Sequence, residues 1–276
     1  MINIGSHRVI ANQVTTFNNN FTFASRDYRL SFSTPLSLPG NRLIVVEGDV
    51  TFAGVTDPAK SRNLRKTGSG NLTINLSGSN NIGAFVRNEG SDQLNLYGSG
   101  IVGAIIFNST SDGGEIGIGD QRDVNTGAII RGQGVLSIEG NGDGARLHGP
   151  DIRLRFDIGP SGDKLVLKNT TNNRSSNAKI ELIGIGNPDG AELELALVPG
   201  YTPNTGDSWT IIEHQSTGGI IGTFRSLPNN TVVKVSGYPF KIVYETNKVY
   251  LVALPQLVVN VYDGNNQSAL LNTDFT

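Results

Sequence analysis

The chain has 276 residues, no cysteine and a formal charge of −2. The missing cysteine excludes disulfides, thiolate catalysis and Cys-ligated metals, and the near-zero charge leaves no Lys/Arg stripe to displace counterions from a nucleic acid. Hydrophobic residues make up only 37% and glycine fills 35 positions, yet Val, Ile, Leu and Phe recur too regularly for a disordered chain.

Residues 1–8 lack a basic segment followed by an apolar one, so no signal peptide is expected, and the chain reads as mature or excised material from a longer exported protein. No run approaches the roughly 18 apolar residues of a membrane span. Nor does any segment carry the i, i+3, i+4, i+7 spacing of a buried helix face. The expected fold class is all-β.

Residues 8–54 read as strands, with Phe21-Thr22-Phe23, Leu30-Ser31-Phe32 and Leu43-Ile44-Val45-Val46 separated by Asn- and Pro/Gly-rich turns. In Leu72-Thr73-Ile74-Asn75-Leu76, apolar and polar residues alternate, which predicts one face inward and one to solvent. Leu94-Asn95-Leu96 and Val135-Leu136-Ser137-Ile138 echo that unit. Residues 101–107 and 127–130 are apolar on both parities, as in strands covered on both faces or bent at a glycine. Residues 170–178 form a polar loop, and 232–252 read as an antiparallel meander. The spacing gives coils of about twenty residues without a fixed period. The expected core includes Leu72, Ile74, Leu76, Leu136, Ile138, Leu165, Leu167, Leu193, Leu195, Leu197, Ile211 and Phe224.

Residues 151–254 carry a resemblance. Phe156, Asp157, Ile158, Asp163, Leu165, Gly190, Leu193, Gly200, Pro203, Gly206, Asp207, Trp209, Ile211, Gly222 and Phe224 match a pattern that resembles the closing part of bacterial autotransporter passenger domains and related surface proteins. Residues 66–80 are similar to a passenger-associated repeat. The resemblance implies a right-handed parallel β-helix, a solenoid of short strands, ending in a small antiparallel meander. It divides the chain into an N-terminal cap (1–35), the β-helix with its capping meander (36–254), and a linker or first strand of a following immunoglobulin-like module (255–276).

Chemistry is sparse. His7, His148 and His214 are scattered with no metal spacing, and His214 is expected in an exposed loop. Asp112, Glu115, Asp120 and Asp123 form the densest acidic stretch. Glu115 and Asp120 would lie too far apart in a strand to share a proton without a bend, so a solvated acidic loop is expected. Gly142-Asp143-Gly144 reads as a tight turn and Lys60, Arg62, Arg65 and Lys66 as solvated turn charges. Tyr97, Tyr201, Trp209 and Tyr238 are dispersed, with Trp209 expected in the core. No catalytic, cofactor-binding or metal-binding residue is assigned.

These readings imply a non-enzymatic structural or adhesive segment, such as a stalk, fibre or matrix element, in the extracellular space or on a bacterial surface. Its expected partners are surface glycans or other copies of itself, with no cofactor and no nucleic acid. Head-to-tail assembly would run through residues 255–276, where Leu257-Val258-Val259-Asn260-Val261 offers an apolar strand to its own meander or to a neighbouring copy. The alternative is a carbohydrate-active β-helix, a polysaccharide lyase or tailspike-like glycoside hydrolase, whose carboxylates converge only in space.

Overall fold

The computed structural model describes residues 7–11, 15–24, 28–57, 62–76, 81–82, 85–89, 93–107, 112–139, 144–168, 178–184, 188–256, 260–262 and 268–270. The fold is all-β: the described residues form strands, turns and bends, with no α-helix. Among the described residues no helix is long and apolar enough to cross a membrane.

Strands are dealt to three positions in rotation. Arg8–Ile10 opens the first sheet, Thr15–Thr16 the second position and Phe21–Phe23 the third sheet, and Arg29–Phe32 returns to the first. The rotation continues to Glu192–Leu197, Ser208–His214 and Ile220–Ile221. Because each strand reaches its neighbour only after visiting the other two positions, it comes back running the same way, and neighbours are parallel. The first and third sheets have eight strands each. The second position holds a three-stranded sheet and then, from Asn81–Ile82 onward, another of eight.

Early in the first sheet, partners stand 20 or 22 positions apart, as with Leu30 facing Val50 and Leu72 facing Leu94. Later in the same sheet the interval is 38 or 39, as with Ile116 facing Leu154 and Leu154 facing Leu193. The corners between sheets absorb the extra residues. The apolar run at 101–107 divides into Ile101–Val102 and Ile105–Phe107, strands of different sheets, so the chain bends at Gly103.

This register stacks like on like. Phe32, Phe52, Ile74, Leu96, Ile116, Leu154 and Leu193 form one row across the first sheet. All but Leu193 are at most 4% exposed, and they belong to a single hydrophobic core shared by all three sheets. Leu193, Leu195 and Leu197 pack on that core only half-buried, because Glu192–Leu197 is the last strand of its sheet and has one neighbour. The other expected core residues are buried. Leu154→Ala should therefore cost about 2–5 kcal/mol and Leu193→Ala clearly less, since its site can open to solvent. Urea unfolding of the two variants measures this, and equal losses would mean the last row is as closed as the interior.

At the N-terminal end the rings of Phe17, Phe21, Phe23, Phe32 and Phe52 pack against one another at centroid distances of 3.7 to 6.4 Å. At the other end Ser208–His214 pairs antiparallel with Lys248–Ala253, followed by Tyr238–Glu245 and Val232–Val235. The first hairpin of this meander turns at Ser236 and Gly237, both with positive φ. In the tail, Asn260–Tyr262 pairs with Ser268–Leu270, and 257–259 lie outside the described residues.

One expectation fails across the first sheet. The alternation at 72–76 does not leave its polar face wet: Thr73 is 2% and Asn75 6% exposed. A later segment of the chain covers that face.

Candidate functional site

The covering segment is an enlarged corner. After Leu94–Gly98 only Ser99 and Gly100 intervene before the next strand, but after Gly113–Ile118 the chain runs through 119–134 before Val135–Ile138. Gly119 turns it out with φ +74°, and a Cβ there would stand 2.6 Å from the Gly132 oxygen, so the two ends of the insertion meet as a narrow neck. Within it, Gln121–Arg122 pairs antiparallel with Ile129–Ile130. Asp123 Oδ1 closes the tip by accepting from the backbone N–H of Asn125 at 2.9 Å and of Thr126 at 2.6 Å.

This strap lies on the outer face of the first sheet. Asn75 treats it as a neighbouring strand: its Nδ2 donates to the Arg122 oxygen at 2.7 Å and its Oδ1 accepts from the Arg122 N–H at 2.8 Å. Gly117 sits between Tyr97 and Arg155 in the ladder, and a Cβ there would be 2.6 Å from the Tyr97 ring. The Tyr97 side chain is thereby folded under cover. Burial, reinforced by Glu115, pushes its hydroxyl up to about 12.

At the foot of the strap a charged cluster forms. Arg155 Nη1 reaches Glu115 at 2.6 Å and Asp120 at 3.7 Å, while its Nε donates to Glu194 at 2.8 Å. Arg131, on the strap, pairs with Asp157 at 2.5 Å and Asp120 at 3.5 Å and approaches Glu194 at 3.8 Å. Arg153 bridges Glu192 and Glu194 at 3.2 and 3.5 Å. Asp163 accepts the Gly134 N–H at 2.8 Å and the Asp157 N–H at 2.5 Å, tying the neck of the strap to the next corner.

Burial raises the carboxyls of Glu115, Asp120 and Asp157 above their ordinary range, opposed chiefly by Arg155 for the first and Arg131 for the other two. Asp163 has no guanidinium partner at bonding distance among these pairs, and burial pushes it to about 7, against its two N–H donors and with help from Asp157 and Asp120. For Arg155, burial favours the neutral form, but the hydrogen bond to Glu194 and the charges of Glu115, Glu194 and Asp120 hold it above the ordinary value.

Several sequence expectations change here. Asp112, Glu115 and Asp120 are not a solvated loop: Asp112 and Asp120 are fully buried, and only Asp123 lies at an exposed turn. Glu115 and Asp120 do meet, around Arg155, because Gly119 supplies the bend that an extended strand lacks. His214 is buried, not exposed, with Nε2 2.7 Å from the Ala178 oxygen. His148 stands 2.8 Å from Glu181 and His7 binds Arg29. Lys66 is buried with Nζ donating to the Gly68 oxygen, Arg65 pairs with Glu89, and Lys60 lies outside the described residues. So do 142–143 and nearly all of the polar loop at 170–178. Trp209 is half-buried against Phe240, with Nε1 donating to the Gly159 oxygen at 3.0 Å, and Tyr201 meets it edge-on. Ile129 and Ile130, far from being covered on both faces, are exposed on the strap.

Arg131, Arg155, Asp157, Asp163 and Glu194 were not singled out as site residues from the sequence. A signal existed: Arg153 and Arg155 share one face of their strand, as do Glu192 and Glu194, and the register sets them opposite one another. Among the described residues no group of three or more acidic or His side chains is arranged to hold a metal ion. Chemically, the cluster brings several carboxylates together but matches them with guanidinia and seals Asp120 and Asp157 away. Comparison with protein-family models, curated proteins and solved structures finds no match.

Proposed function

We propose that this chain is a rigid, non-enzymatic structural or adhesive segment of a bacterial extracellular or cell-surface protein, wound as a right-handed parallel β-helix. The rotation of strands through three positions around one core supports the solenoid reading. Right-handedness follows the general rule for crossovers between parallel strands. The resemblance of residues 151–254 to autotransporter passengers supports the surface location. The observation that carries the functional part is the use of the charged cluster. Its carboxylates are engaged by Arg131 and Arg155 in fastening the strap, where an acid–base catalyst would present them to a substrate.

A second reading has one observation in its favour. Glu115, Asp120 and Glu194 surround a single guanidinium, as convergent carboxylates of a carbohydrate-active β-helix would. Incubation with neutral and acidic polysaccharides, followed by reducing ends and by the absorbance of unsaturated uronates, separates the two. No turnover is expected. Turnover that disappears in Glu194→Gln would replace the structural reading with the enzymatic one.

A further inference from the structure

Proteins built by stacking similar strands couple mainly nearest neighbours, so their ends ordinarily open before their middles. The strap breaks that rule. Arg29 Nη2 donates to the Asn125 oxygen at 2.6 Å, joining positions 96 residues apart. Gly127 leaves the room that the Arg29 guanidinium occupies. Midway, Asn75 holds Arg122 from 47 residues away, and at the neck the Gly119 N–H donates to the Gly98 oxygen at 3.0 Å. At the foot, Arg131 holds Asp157 and approaches Glu194, while Gly134 donates to Asp163. One segment therefore grips the second, fourth, fifth, seventh and eighth strands of the first sheet.

We propose that residues 119–134 are a brace that couples the opening of the N-terminal strands to that of the later ones, so that the first sheet opens as one unit. The grip is side chain to backbone at both distant points, Arg29 on Asn125 and Asn75 on Arg122, and so depends on the fold of the strap and not on the identity of its side chains. This inference stands apart from the proposed function, since a catalytic molecule could carry the same brace.

Native-state hydrogen exchange on the full chain tests it. In the unmodified protein, amides of Arg29–Phe32 and Asp49–Phe52 should exchange through the same opening as those of Asp151–Ile158. Two variants act on the coupling: Asn75→Ala, which removes the middle grip and leaves Arg29 on Asn125, and replacement of 119–134 by Ser-Gly, the linker of the preceding corner, which removes every grip. In Asn75→Ala, which loses two hydrogen bonds, exchange in those two N-terminal strands should accelerate about tenfold, with Lys248–Ala253 unchanged. The strapless variant should lose protection in the same strands by at least as much. Should that variant fail to fold, Asn75→Ala alone still decides. Equal acceleration in every strand, or none in the N-terminal ones, overturns the brace.

Discussion

Arg155→Leu should destabilise the protein by about 3–5 kcal/mol, the range for removing one partner of a buried ion pair. The side chain is 10% exposed and answers three carboxylates at once: Glu115, Asp120 and Glu194. Leucine fills part of the space but removes the guanidinium that Glu115 pairs with, and leaves Asp120 and Glu194 only their longer contacts with Arg131 and Arg153. Arg155→Lys should recover only part of the loss, because a single ammonium cannot reproduce the two-pronged contact with Glu194 while also reaching Glu115. Adding Glu115→Leu to Arg155→Leu should be less harmful than adding the two separate losses, since each change removes the need for the other. Urea unfolding across this cycle provides the measurement. A loss below about 1 kcal/mol for Arg155→Leu would place the cluster among ordinary surface ion pairs.

The parts of the fold legible in the sequence are those set by local chemistry. Alternation marked Leu72, Ile74 and Leu76 as inward, and a bend at a glycine was one of the two readings open for 101–107, because both depend on a strand's period of two and on where a backbone can turn. The meander at 232–253 was legible for the same reason. What could not be read is what lies on top of a face. Nothing near Asn75 in sequence indicates that Arg122 will bind it, so Thr73 and Asn75 read as wet when they are covered. The acidic stretch at 112–123 misled similarly, since its charges look solvated until Arg131 and Arg155 are brought against them. His214 shows the limit plainly: its burial rests on the carbonyl of Ala178, a partner that no local pattern names.

Stability should fall as pH rises through the neutral range, with Asp163 as the main source. The carboxyl stands near 7 in the folded protein against 3.8 as its ordinary value. The folded state therefore holds a proton between about pH 4 and 7 that the unfolded state has released, and stability drops wherever the folded state binds more protons. The contribution is fully present below pH 4, declines across that window and is gone above pH 7. Over the roughly three units involved it amounts to about 4 kcal/mol at most. Glu115, Asp120 and Asp157, also raised by burial, act in the same direction, whereas Asp123 and Glu213, lowered by their hydrogen bonds, favour the opposite trend in acid. Asp163→Asn isolates the main term. It cannot titrate, so its stability should lose most of the slope between pH 4.5 and 7.5. It should also be less stable than the parent at pH 4.5, because its amide can accept only one of the two N–H groups, from Gly134 and Asp157, that the carboxyl satisfies. Urea unfolding of both proteins at pH 4.5, 6 and 7.5 checks this. Parallel curves with the same slope would show that Asp163 is ionised throughout and that the slope arises elsewhere.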